Sequence, residues 1–538
     1  MTLLRVLSRS TGRTRQITVS ALGLAVPLAL IVALVGPAAL GRAPAAPDAG
    51  WSSDSPFAAA GSELHGTVTV PARRGRDTVV TLWLSNAHLA SVPDACRPTV
   101  TVRERASYVS ADGRTLTCLV RSTGSRRTVS LDALVDGEPG QQVDATVTVD
   151  GRSTPLGARL VTPGAPVAEP DLRLLSSPDF LNADVGDLAR GPGFWRPGRT
   201  ANSTNADYRR ALDTILDDWR AERPESVLVA GDLVEGWWGT EVDRSGNFGP
   251  DRTLAQRKAA LRRAAATYYP QWKERFAERG LEVHAAMGDH EFGDNPWRAE
   301  KRRLAPLFEQ EFAKRFGRRA DGSPRYADRP RGSKHELSAY AWRPRPDVQV
   351  LTLNVFDATA RGMRIRLDRP QLRWVERVLR EARQDGVRWV IAQGHTPIVG
   401  PVRSHGSSKL MYEGGAHSPL WRLFKRYGVD LYLSGEVHDV TAVHRDGILQ
   451  VSHGGLFAFG LTNYLLVDVY DDRMELDLRD YATHWRDAPD GSRLWETRPQ
   501  GMPKQLHVSP TPFTIGTAVV DGEGRLLDRS GILEKYAG

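Results

Sequence analysis

From about Glu63 to Leu160 the chain alternates apolar and polar residues in short runs: LHGTVTV, TVVTLWLS, PTVTVRE, LTCLVRS and QQVDATVTVD, with Gly, Asp, Asn and Ser turns between them. A period of two marks half-buried strands, and turns at this spacing predict a small all-β, immunoglobulin- or fibronectin-like sandwich over residues 63–165. The proline-rich segment VTPGAPVAEPD (161–171) ends that pattern. Beyond it, strands LRLLSS, SVLVA, LEVHAAM, VQVLTLNV, WVIAQ, VDLYLS and ILQVS alternate with helical stretches. Tyr208, Leu212, Ile215, Leu216 and Trp219 fall on one face of a helix from Ala206 to Ala221. Thr253 to Arg279, Arg298 to Phe316 and Pro419 to Tyr427 also read as helical. Asp368 and Pro370 form the cap and first turn of a helix carrying Leu372, Val375, Val378 and Leu379. Strand–helix alternation implies an α/β domain over 170–480, with parallel strands, helices on both faces and functional groups at the strand carboxyl ends. Residues 481–538 follow as a turn-rich, β-like extension.

The N-terminus changes the compartment. A basic stretch ends at Arg15, an uncharged run extends from Ile17 to Leu40, and the small residues Ala43-Pro44-Ala45 come next. Residues 1–45 therefore read as a cleaved signal peptide or an uncleaved membrane anchor, and 46–62 as a linker. Both routes put the rest of the chain outside the cytoplasm, secreted or membrane-anchored, with no other membrane contact expected. Arg5, Arg9, Arg13, Arg15 and Arg42 all precede the first acidic residue, Asp48; without these five the net charge of +8 falls to +3. Arginine is spread along the whole chain, which argues against a specific nucleic-acid face. The only cysteines, Cys96 and Cys118, lie together in the β region. An exported chain favours one disulfide between them, the alternative being two buried thiols.

Candidate chemistry lies at five strand ends. In chain order these are Asp179 in SSPDFLN, Asp232 in VLVAGDLVE, Asp289-His290-Glu291 in AAMGDHE, His395 in VIAQGHTP, and Glu436 with His438 in LYLSGEVH. Carboxylates and imidazoles gathered from several strand ends suit a pair of divalent cations able to activate water and stabilise a phosphoryl transition state. A carboxylate following VLVA and one glycine would be buried without a partner unless it had such a function. Glu291 is expected to stabilise its loop. Asp179 has Asp184 and Asp187 as rivals. Trp237 and Trp238 either wall a cleft or pack beneath the Asp232 loop.

The ordered segments resemble the calcineurin-like metallophosphoesterase superfamily, whose pattern is D-x-H, G-D-x-x-D, G-N-H-E/D, a lone G-H, and G-H-x-H. The resemblance covers roughly residues 170–475 and implies a four-layer α/β/β/α sandwich with a dinuclear metal centre. By position, Asp179 and His438 would serve the first metal, and Asp232 would bridge both. Asp289, His395 and Glu436 would serve the second. His290 would contact a phosphate oxygen or protonate the leaving alcohol. Glu235, three residues after Asp232, would orient it and fix its tautomer. His453 in VSHGGL is either a pocket-lining, substrate-binding residue or a core histidine.

Three positions depart from the family pattern. Leu181 stands where the D-x-H histidine belongs, leaving Asn182 as the nearby oxygen donor. Asp289 replaces an asparagine, and Glu436 replaces a histidine. The resulting oxygen-rich centre favours Mn, Fe, Mg or Ca over Zn. The absence of a tyrosine three residues after Asp232 argues against the purple acid phosphatase subgroup. The expected function is metal-dependent hydrolysis of a phosphomonoester or phosphodiester. The alternative is a non-catalytic protein that binds metal or a phosphate ligand on a degenerate scaffold of the same kind.

Overall fold

Apolar residues at alternate positions of each strand sort into different clusters, and this sorting builds the layers. The computed structural model describes residues 48–71, 77–90, 93–96, 108–110, 113–120, 124–164, 169–179, 206–234, 238, 248–404, 407–455, 462–481, 483–486, 505–508 and 512–535. The expected export segment and the PTVTVRE run lie outside them. Among the described residues, no helix is long and apolar enough to cross a membrane.

In the N-terminal region one sheet runs in the order Ala49–Trp51, Glu63–Val70, Arg127–Val135, Ala87–Leu89. The other runs Phe57–Ala59, Arg159–Thr162, Gln142–Val149, Thr78–Ser85, Thr115–Val120, Tyr108–Val109, with Arg152–Pro155 added against Gln142–Val149. Val80, Leu82 and Leu84 point inward along one strand while Val79 and Trp83 face out. They meet Val68, Val129 and Leu131 of the opposite sheet, as the period of two requires. Cys96 and Cys118 are disulfide-bonded within this core. Phe513, from far along the chain, is part of the same cluster.

The second region contains two stacked mixed sheets. In the first, Val283–Ala285, Ser226–Val229 and Leu172–Ser176 are parallel, followed by antiparallel Asn463–Val469, Arg473–Asp480, Phe513–Asp521 and Leu526–Arg529. In the second, Val348–Thr352, Trp389–Gln393, Leu431–Ser434 and Ile448–Ser452 are parallel, flanked by antiparallel Tyr340–Arg345 and Thr441–Arg445. Leu172, Leu174 and Leu228 pack with Val350, Ile391 and Leu433 between the sheets. The alternate residues Leu175, Val227 and Val229 turn instead to Leu212, Ile215 and Trp219 of the helix Ala206–Ala221. Val390 and Tyr432 likewise face Val378 and Phe424, on the helices Arg369–Gln384 and Pro419–Tyr427. The architecture is thus α/β/β/α, and each sheet has helices on one face and the partner sheet on the other. The alternation pattern alone had put helices on both faces of a sheet. A strand buried on both sides reads the same whether its cover is helix or sheet.

Two other expectations change. The Arg298–Phe316 helix is broken into Ala299–Arg302, Ala305–Phe312 and a final π turn. Pro306, which lacks an N–H, opens the second piece. The extension beyond 480 is not separate: Phe513–Asp521 adds to the first sheet, burying Phe513, Ile515, Ala518 and Val520.

Candidate metal centre

Parallel strands deliver their carboxyl ends to one side, and the residues just beyond those ends converge there. Asp179, Asp232, Glu436 and His438 take left-handed backbone conformations, with φ of 53°, 56°, 70° and 49°. Such turns swing a side chain sharply off the strand axis into the shared space. Glycines make that space. A Cβ on Gly288 would lie 2.0 Å from Asp232 Oδ1, one on Gly231 2.6 Å from His395 Nδ1, and one on Gly435 2.8 Å from Asp179 Oδ2. The glycines of these motifs are therefore steric requirements of the cluster.

Three groups of described side chains have ligand atoms within 4.8 Å of one another, and two of them are buried throughout: Asp179, Asp232 and His438, and Asp232, Asp289 and His395. Asp232 belongs to both. All five residues are buried. His395 Nδ1 donates to the Ala230 carbonyl at 2.9 Å, which turns Nε2 to the carboxylates. Nε2 lies 3.0 Å from Asp289 Oδ1, 3.4 Å from Asp232 Oδ2 and 3.5 Å from Glu436 Oε2. A ring nitrogen anchored on a backbone carbonyl, with the other facing acidic oxygens, is the arrangement of a metal-ligating histidine. Glu436 is held at its other oxygen by Ser408 Oγ (2.7 Å) and the Leu410 N–H (3.0 Å). Asp179 Oδ1 accepts the Glu436 N–H at 2.9 Å, whereas its Oδ2 is buried with no hydrogen-bond partner.

The electrostatics match a cation site. Burial, opposed by His395 but reinforced by Asp232, pushes Asp179 well above the ordinary carboxylate range. Burial and the nearby Asp289 also raise Glu436. Burial acts against charge on His395, yet the Asp232 carboxylate and the oxygens of Asp289 and Glu436 hold its pKa well above the usual histidine value. For Asp289 burial is outweighed by the hydrogen bond from His395, by His290 and by Asn295, leaving it below the usual range. The two imidazoles of His395 and His438 cannot neutralise four buried carboxylates, and divalent cations would. The orphaned Asp179 Oδ2 and this hard-oxygen donor set fit such ions.

Glu291 braces the loops. Its carboxylate accepts the N–H groups of Asp232 (2.9 Å), Leu233 (2.9 Å), Val234 (3.2 Å) and Gly288 (2.7 Å). Burial and Asp232 raise its carboxyl to about 7 against the pull of these donors. His290 lies beside the cluster, with its N–H on Asp232 Oδ1 at 3.0 Å and its Nε2 3.7 Å from Asp232 Oδ2. Trp238 packs beneath this loop, fully buried, and donates to the His290 carbonyl at 2.8 Å. Asn182, Glu235, Trp237, Asp184 and Asp187 lie outside the described residues.

His453 takes the second of the two places left open for it, the core. It is fully buried, with Nε2 3.0 Å from Ser176 Oγ and Nδ1 3.1 Å from Asn463 Oδ1. Burial, only partly opposed by the Asn463 hydrogen bond, lowers its pKa to about 4, so it is a neutral core histidine. Two residues were missed. Asn295 donates to Asp289 Oδ2 at 2.8 Å. Asp294, at φ 63°, groups with Asp289 and His290 within 4.8 Å. Both occur in the same short run as His290, but nothing local to that run distinguishes them from ordinary turn residues.

Residues 184–440 match the family model described as calcineurin-like phosphoesterase. No curated protein matches the chain. Among solved structures, PhoD resembles it at 12% identity and TM-score 0.39, covering 90% of this chain and 92% of that one. GAP50, the anchor in the inner membrane complex of Plasmodium, resembles it at 10% identity and TM-score 0.31, covering 57% and 84%. The phosphopantetheinyl hydrolase of Mycobacterium tuberculosis does so at 12% identity and TM-score 0.21, covering 53% and 91%.

Proposed function

We propose, from the match of residues 184–440 to the calcineurin-like phosphoesterase family, that the protein is an exported hydrolase of phosphomonoesters or phosphodiesters with a dinuclear metal centre. The observation that carries this reading is the sharing of Asp232 between two metal-sized groups of buried ligands. Asp179, Asp232 and His438 would hold one ion, with Asn182 as a further donor; Asp232, Asp289, His395 and Glu436 would hold the other. Two divalent ions there would supply Lewis-acid polarisation of the phosphoryl group and lower the pKa of water. The prevalence of carboxylate donors supports Mn, Fe, Mg or Ca over Zn.

The chain's own groups do the rest. Glu291 and the motif glycines hold the ligands in place before substrate arrives, so little reorganisation is left to the reaction. His290, tied to Asp232 through its backbone, is assigned to a phosphate oxygen or to the proton that the leaving alcohol takes. Glu235 is assigned to orient that imidazole. The Cys96–Cys118 disulfide supports an oxidising, extracytoplasmic destination.

Hydrolysis of an aryl phosphate and a bis-aryl phosphate across a panel of divalent ions tests the proposal. Removing a group that merely supports a ligand typically costs ten- to a hundredfold, so Asp232→Asn should cost about a hundredfold or more. A folded, metal-loaded protein inert to the whole panel would favour the non-catalytic binder.

A further inference from the structure

We propose that this chain carries a second anion site, separate from the metal centre, which binds a small molecule bearing phosphate or sulfate groups. It is a cavity of about 610 Å³ between the segment around Arg329 and the first turns of the helix Arg369–Gln384. Its lining includes four arginines, Arg329, Arg331, Arg373 and Arg377, with Asp328 and Trp374. Arg373, Trp374 and Arg377 share one helix face by their spacing. No member of the metal cluster lines it.

The four guanidiniums are not equivalent. Arg377 is pinned by Asp328 and by Glu381 at 2.6 Å. Arg329 is pinned by Glu336 at 3.1 Å and by the Tyr326 and Ala327 carbonyls, both at 3.2 Å. Asp328 is already committed to Arg377 and to the Trp374 indole N–H at 2.8 Å. Arg331 and Arg373 are exposed and form no ion pair among the described residues. Two uncommitted guanidinium forks therefore flank a cavity whose only acidic lining group is already engaged. Planar forks of this kind match the oxygens of phosphate or sulfate two at a time. The volume suits a small molecule and exceeds what a lone oxyanion fills. The helix terminus is not what makes the site, because Asp368 already caps it through the Gln371 N–H.

Titration calorimetry on the full-length protein, with inorganic phosphate and inorganic sulfate at constant ionic strength, tests this. The double variant Arg331→Gln/Arg373→Gln should bind both anions at least about tenfold more weakly, the loss expected for one charge-assisted hydrogen bond or more. Hydrolysis of the aryl phosphate should be unchanged in that variant. Binding of sulfate should survive in Asp232→Asn, which separates this site from the metal centre and from the reading built on it. Undiminished binding by the double variant, or binding lost only in Asp232→Asn, would overturn the proposal. So would association with phosphatidylglycerol vesicles without affinity for either soluble anion.

Discussion

Four of the acidic and imidazole groups at the centre share a backbone conformation that residues with a Cβ rarely adopt. Each left-handed residue costs on the order of 1–3 kcal/mol, and such strain persists only where the surroundings over-determine it. At Glu436 the over-determination is visible: Ser408 and Leu410 fix one carboxylate oxygen while the other faces His395. Glu436→His is expected to shift metal preference towards zinc, because it exchanges a hard oxygen for a nitrogen at a conformation histidine tolerates. Elemental analysis after loading with mixed metals checks this, and an unchanged profile would remove Glu436 from the ligand set. His453 gives a pH prediction of definite sign. Its folded pKa of about 4 lies below the ordinary histidine value of about 6.5, so as pH falls the unfolded chain takes up the proton first. Stability is complete above about 6.5 and declines towards 4, by roughly 3 kcal/mol at most. Urea midpoints at pH 5 and pH 8 should differ less in His453→Gln than in the parent, once the common effect of the substitution is subtracted.

Loops act as paired elements here. Glu291 joins the turn after Ser226–Val229 to the turn after Val283–Ala285 through four N–H groups, which ties the two loops together. Glu291→Gln keeps one acceptor oxygen and puts an amide where N–H donors point. It should destabilise the protein by about 2–4 kcal/mol in urea unfolding and weaken metal retention in dialysis. Loss of neither would mean the loops are held elsewhere. This brace also marks the limit of what the sequence disclosed. Asp232, Asp289, His395 and Glu436 were legible because each follows an apolar run and a glycine, a local signal, whereas Asp179 follows Ser176-Ser177-Pro178. Expecting Glu291 to stabilise its loop was right, but its partners at 232–234 could not be named, since contacts between loops leave no periodic trace. His453 stayed open between pocket and core for a related reason: its place after a strand does not reveal whether the ring turns to the cleft or to Ser176. The four-layer stacking came from the motif resemblance, whereas hydropathy alone cannot tell a sheet's cover from a helix's.

Across the whole molecule, the disulfide and the centre belong to different cores. Cys96 and Cys118 are 22 residues apart in sequence, and closing a loop of that size stabilises a fold by about 3 kcal/mol in the chain-entropy account. Replacing both cysteines with alanine should lower the thermal midpoint by several degrees while leaving turnover of the aryl phosphate at 25 °C unaltered. Calorimetry alongside an initial-rate assay reads both; a parallel fall in rate would tie the N-terminal sheets to the reaction.

Phe513 has a practical consequence for anyone trimming the gene. The strand it begins belongs to the first sheet of the α/β region, yet its ring completes the oily interior of the leading β module. A shortened version starting near residue 170 would strand that ring in water and strip a neighbouring surface of its cover. Such a fragment should clump during production, and appending the first module as a separate piece should rescue its solubility.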